Sequence, residues 1–137
     1  MRITSKLAKG AAAFALAGAA LLGTAGTASA NPSAPNIGYG RVTSGPAVWC
    51  VQHDLNWYIK NAGYPSDPPY GTIPEDGVWG PKTEATVRWY QRRWNSIDDG
   101  VVGPWTGHLL LAYTDDYYNG TYSGGPGYCW KYLPGDY

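Results

Sequence analysis

His53 and Asp54 stand side by side, and His108 follows far downstream. A histidine near a carboxylate is the raw material of general acid–base chemistry. Two acidic pairs, Glu75–Asp76 and Asp98–Asp99, could attack a glycosidic bond if a pair of carboxyls were held about 5–9 Å apart. Neither set completes a catalytic unit. Adjacent residues on a helix do not face each other, and His108 falls in a different predicted helix with no obvious nucleophile beside it. Both acidic pairs lie in turn-forming sequence. No Ser-x-x-Lys, His-Glu-x-x-His or metal-ligand cluster is present. The expectation is a protein that is not an enzyme and takes no cofactor and no metal.

The aromatic residues are the stronger chemical signal. Seven Trp and twelve Tyr are more than a small helical core can hide. Tyr64, Tyr70, Tyr117, Tyr118 and Tyr122 lie in polar or Gly-rich surroundings and are expected to be part-exposed. Such a platform suits a glycan or a peptide. It equally suits a protein partner, because aromatic residues are common interface hot spots.

The N-terminus reads as an export signal. Arg2, Lys6 and Lys9 precede an apolar run from Ala11 to Leu22, and Ala28 and Ala30 supply a small-residue cleavage site. Residues 1–30 are therefore expected to be removed; a retained anchor is the rival reading. The apolar run is short for a membrane span, and no membrane contact is expected after cleavage. The remaining Asn31–Tyr137 carries ten acidic residues against seven Lys or Arg, a formal charge of −3. That balance argues against nucleic acid, which requires clustered positive charge. In an exported protein the lone pair Cys50 and Cys129 is expected to form a disulfide clamping the C-terminal tail onto the first helix, with metal ligation as the weaker alternative.

Three helices must position these groups. Residues 31–45 are rich in Pro, Gly and Ser and read as a flexible leader. From Pro46, the residues Val48, Val51, Leu55, Ile59 and Ala62 form one apolar stripe, with Ser44 or Gly45 as cap and Gly63 as the stop. The Pro-rich stretch from Tyr64 to Pro74 is a shaped loop. A second helix should open at Pro81, bury Thr83, Val87, Tyr90 and Trp94, and end with Asn95 in a left-handed conformation. A third should run from Pro104 to about Tyr113; Leu109, Leu110 and Leu111 leave its inner face ambiguous. The Tyr/Gly-rich tail, residues 114–137, could add a short strand or wrap the helices. The domain proper is then 46–113, and the fold class is all-α, a small three-helix bundle.

Asp76-Gly77-Val78-Trp79-Gly80-Pro81 returns as Asp99-Gly100-Val101-Val102-Gly103-Pro104, with Thr83 and Thr106 two residues further on. An Asp carboxylate can accept from the backbone N–H two residues on. Gly77 and Gly100 suit a turn that a side chain would strain, Gly80 and Gly103 allow close passage, and each proline opens a helix. Each copy is thus a turn-into-helix unit that needs no ligand to explain it.

These same residues carry a family resemblance. Val51, Gln52 and Leu55, then Gly63–Tyr64, then the two Asp-Gly blocks with Thr86, Val87, Tyr90 and Gln91, make the chain resemble the small helical peptidoglycan-binding domain of bacterial cell-wall hydrolases. The resemblance runs from about Val48 to Leu111. Gly63–Tyr64 comes about four residues late, the following loop is longer, and Trp79 and Tyr90 replace phenylalanines. The resemblance implies a secreted or wall-associated, non-catalytic module binding a peptidoglycan glycan or stem peptide. It places the ligand in a shallow groove lined by Tyr64, Tyr70, Asp76 and Trp79, with Arg88 reaching a stem-peptide carboxylate. The alternative is a secreted protein-binding or inhibitory protein that uses its Tyr-rich tail.

Overall fold

Each main helix begins at a proline, where a missing N–H costs nothing because the first-turn donors have no intrahelical partner. In the computed structural model, which describes residues 31–63, 67–123 and 126–135, α1 is Pro46–Asn61, α2 is Pro81–Arg93 and α3 is Pro104–Tyr113. A short α4, Asp116–Asn119, and a 3-10 turn, Cys129–Lys131, follow in the tail. The architecture is an all-α bundle, as the spacing predicts. Its stops also agree: Gly63 has φ of 65° and Asn95 of 49°, both left-handed. The expected export signal and Tyr64 lie outside the described residues.

Val48, Val51 and Leu55 of α1 are fully buried, but Ile59 and Ala62 are only partly so. The buried face is instead wider in the middle, taking in Cys50, Gln52, Asp54, Asn56 and Tyr58. The reason is that α1 is packed by α2, by α3 and by the 3-10 turn at once. Leu109, Leu110 and Leu111 are all buried, which resolves their ambiguity: α3 is covered by α1 on one side and α4 on another. Tyr90 of α2 is fully buried and donates its hydroxyl to Leu109 O at 3.0 Å, tying α2 to α3.

The tail forms no strand among the described residues. It wraps the bundle and is fixed by the Cys50–Cys129 disulfide, with Cα atoms 5.6 Å apart across 79 residues. Trp130 and Leu133 enter the core. At Gly107 a Cβ would lie 1.8 Å from Pro134 O, so the tail backbone rests directly on α3.

Residues 31–45 are packed rather than loose. Ile37 is fully buried and exchanges two backbone hydrogen bonds with Val102, at 3.0 and 2.9 Å. Further along, Gly45 donates to Gly77 O and Trp79 donates to Thr43 O, both at 2.9 Å. One extended strap therefore pairs with both Asp-Gly turns. A single buried isoleucine in a Pro/Gly/Ser stretch anchors it, and backbone pairing supplies the rest.

Candidate functional site

The two Asp-Gly turns are built alike, and each is held by a glutamine from the preceding helix. Asp76 Oδ1 accepts from Val78 N at 3.0 Å, and Asp99 Oδ1 from Val101 N at 2.9 Å, as the repeated sequence predicts. Gln52 of α1 reaches the first turn. Its Oε1 accepts from Gly77 N, and its Nε2 faces Asp76 Oδ1, Val78 O and Thr83 Oγ1 at 3.0, 2.9 and 3.2 Å. Gln91 of α2 repeats the pattern on Gly100 N, Asp99 Oδ1, Val101 O and Thr106 Oγ1 at 3.0, 3.1, 2.9 and 3.1 Å. Both glutamines are buried. An amide carries two donors and an acceptor, so one side chain satisfies the turn backbone and ties it to the helix that follows. Gly77 and Gly100, at φ of 69° and 72°, supply the left-handed residue each turn needs.

Each cradle opens onto a cleft. The first, about 410 Å³, has Gln52 and Thr83 in its floor and Tyr70, Pro74, Val78 and Lys82 around it. Tyr70 is 51% exposed, and the Lys82 ammonium lies 5.6 Å from its ring centroid, a cation–π arrangement. The Asp76 carboxylate is exposed at the same place; the Val78 N–H and the Gln52 amide hold its pKa below the usual range, so it is charged near neutral pH. The cleft thus offers an aromatic face, a cation and an anion within one wall. The second cleft, about 430 Å³, is set by Gln91 and Thr106 with Asn95, Ser96, Ile97 and Trp105 around it.

The structure divides the sequence-expected groove residues. Tyr70 and Asp76 come together in the first cleft. Trp79 does not line it: at 5% exposure it is a core side chain beneath the turn. Arg88 belongs to the other turn. Its Nε and NH2 donate to Glu84 Oε1 at 3.0 and 2.9 Å, and its NH1 donates to Asp98 O. The guanidinium braces the approach to Gly100, and the cation that does face the first cleft is Lys82. Gly80 and Gly103 are not points of close approach either: a Cβ at Gly80 would meet nothing within 4 Å, and one at Gly103 only Asn36 at ordinary contact distance. Sequence reasoning missed the roles of Gln52 and Gln91. The available signal was a glutamine on the apolar face of a helix, repeated with the Asp-Gly blocks.

The acid–base candidates are placed differently from their sequence neighbours. His53 pairs with neither Asp54 nor His108. Its Nδ1 lies 3.1 Å from Glu75 Oε2 and its Nε2 3.0 Å from Asp115 Oδ2, while Trp49 stacks on the ring at 4.8 Å. Burial opposes its charge, but the two carboxylates outweigh burial and raise its pKa. Both ring nitrogens are engaged, so the group joins α1, the residue that follows the Pro-rich loop and the residue before α4 as a clasp. Asp54 is enclosed in the core, near Asn119, and burial pushes its pKa up to about 8. Among the described residues no group of three or more His, Cys, Asp or Glu could hold a metal ion, and no helix is long and apolar enough to cross a membrane.

Neither a curated protein nor a solved structure matches the chain. Residues 51–110 match the sequence profile of the family described as "Putative peptidoglycan binding domain", and they span Gln52, Gln91, both Asp-Gly turns and both clefts. The cradle-bearing body, residues 51–110, is the part of this chain that is similar to that peptidoglycan-binding family.

Proposed function

We propose that this chain is an exported, non-catalytic module that holds bacterial peptidoglycan in the first cleft. The observation that carries this reading is the joint placement of Tyr70, Lys82 and Asp76 over the Gln52 cradle. A stem peptide carries carboxylates that Lys82 can pair with, amide groups that Asp76 can accept from, and aliphatic surface that can lie on Tyr70. The cleft is open and shallow, so much of the association cost is unmet and a single site is weak, micromolar or poorer. Retention on a wall would come from the repeat of the polymer unit. The experiment is co-sedimentation of Asn31–Tyr137 with purified, protein-free sacculi. Binding without release of soluble fragments is expected, and Tyr70→Ala and Lys82→Ala should each weaken it while the circular dichroism spectrum stays helical. A flat isotherm against walls of several chemotypes would overturn the reading.

A second reading is favoured by one feature of the tail. Tyr117 and Tyr122 are 83% and 75% exposed, and Trp49, Tyr118 and Tyr128 line a further cleft of about 380 Å³ beside them. Such a surface suits a protein partner. Capture of a wall or secreted protein that is lost in Tyr117→Ala, by a chain that ignores bare sacculi, would favour that reading.

A further inference from the structure

We infer that the second cleft is a separate binding subsite for the glycan strand of the same polymer, with Trp105 as its sugar platform. The inference rests on the wall-binding reading of the first cleft and extends it to a second site of different chemistry. The two clefts share one frame: buried Gln, Asp-Gly turn, helix-opening proline and Thr hydroxyl. They differ at the residue between that proline and threonine, which is Lys82 in the first and Trp105 in the second.

That exchange changes what can bind. Among the described residues, no Lys or Arg lines the second cleft. Its charged member is Asp99, whose Oδ1 already serves Val101 N and Gln91. A cleft with an anion and no cation does not attract the carboxylates of a stem peptide. What it presents is an indole 54% exposed, Ile97 81% exposed, and the polar side chains of Asn95 and Ser96. An aromatic face beside an amide, a hydroxyl and a carboxylate is suited to a neutral, hydroxyl-rich and amide-bearing ring. The C–H face of such a sugar lies on the indole, and its hydroxyls and N-acetyl group meet the polar rim.

The geometry also holds the platform in place. Trp105 stacks on His108 one turn along α3, with ring centroids 5.8 Å apart and planes within 8°. Asn95 sits in its left-handed conformation because the α2 terminus is closed there, with Ser96 N donating to Gln91 O at 3.1 Å. The residue that builds the cradle therefore also fixes the polar rim. Two exposed apolar side chains at the mouth of a cleft, one braced by a stacked ring, carry an energetic cost in water that sugar contact would relieve. Two such sites on one folded body would engage the polymer at two points, and the second contact would be intramolecular.

The test is a titration of the purified protein, followed by its indole and side-chain amide NMR signals, with glycan strands freed of stem peptides by an amidase. The Trp105 indole N–H and the Asn95 amide should shift. Trp105→Ala should weaken strand binding at least fivefold, and Tyr70→Ala should leave it within twofold. Ile97→Ser, at a still more exposed position, should weaken it too and serves if Trp105→Ala disturbs the fold. Strands that leave the second-cleft signals unmoved, or that bind Trp105→Ala and Ile97→Ser as they bind the unaltered protein, would overturn the inference. If sacculi are still bound in that case, the wall reading survives without it; if neither sacculi nor strands are bound, both fall.

Discussion

The first cradle is served from a distance and the second from close by. Gln52 lies 24 residues before Asp76, whereas Gln91 lies eight before Asp99. The second needs no more than a helix end and a short reversal, braced by Arg88 across Glu84 and Asp98. The first must bring a long Pro-rich segment back onto α1, and the molecule provides more hardware there. Buried Asn56 imitates a paired strand, accepting from Ile73 N at 2.8 Å and donating to Ile73 O at 2.7 Å. His53 clasps Glu75, and the disulfide anchors the neighbouring turn of α1 to the tail. One cradle built at two loop lengths needs different amounts of support, because closing the longer loop loses more chain entropy.

The largest expected effect follows from that asymmetry. Replacing Cys50 and Cys129 together by serine removes the 79-residue cross-link, whose chain-entropy value is roughly 4–5 kcal/mol. Urea denaturation should show the loss. Hydrogen exchange should show it falling first on Gly77 and Val78, with Gly100 and Val101 retaining more protection. Equal loosening of the two turns would break the comparison.

The glutamines come next. Gln52→Leu and Gln91→Leu each leave a buried glycine N–H and a turn carbonyl without their partner, a cost of about 3 kcal/mol. Denaturant midpoints should fall by similar amounts for both, because the frames are alike; Asp76→Ala and Asp99→Ala should lower them less. A Gln91 variant as stable as the unaltered protein would show that the shared frame is not what holds the second turn.

A pH dependence also separates the halves. From about 4 to about 8, folded Asp54 keeps a proton that the unfolded chain releases, so stability falls as pH rises through that window. His53 acts in the same direction: its stabilisation is full below the unfolded value near 6.5 and is lost as pH rises through the raised folded value. Glu75 opposes them. Burial disfavours its charge, but Asn56 and His53 outweigh burial and lower its pKa, so its contribution is lost on acidification below about 4.5. Stability should therefore peak in mildly acidic solution. Asp54→Asn should flatten the loss between about pH 4 and 8, and His53→Gln should flatten the part of it above about 6.5, as read from urea midpoints at a series of pH values.

Much of this was legible because it is local. A proline that opens a helix, a glycine or asparagine that closes it and an Asp that bonds two residues on are all decided within a few positions. The doubled block therefore yielded the turns, the helix starts and the all-α class. The lone cysteine pair yielded the clamp. What was not legible depends on partners far along the chain. Nothing near Ile37 indicates that Val102 awaits it, so the strap read as a leader. Trp79 and Arg88 each follow a turn that could have aimed them outward; the core takes the first and the Asp98 carbonyl the second. Gln52 and Gln91 look like polar interruptions of an apolar face until the turns they hold are in place. Lys82 and Trp105 occupy equivalent positions, and their difference carries meaning only once each is seen beside its own cleft.

The most direct test of the account is a map of backbone amide shifts on adding soluble peptidoglycan fragments that keep both sugar and stem peptide. Shifts are expected on Tyr70, Asp76, Val78 and Lys82, with the Gln52 side-chain amide moving alongside them, and the sugar of the same fragments should add shifts at Asn95 and Trp105. Shifts confined to Tyr117, Tyr122 and Tyr128 of the tail, with the cradles silent, would contradict it.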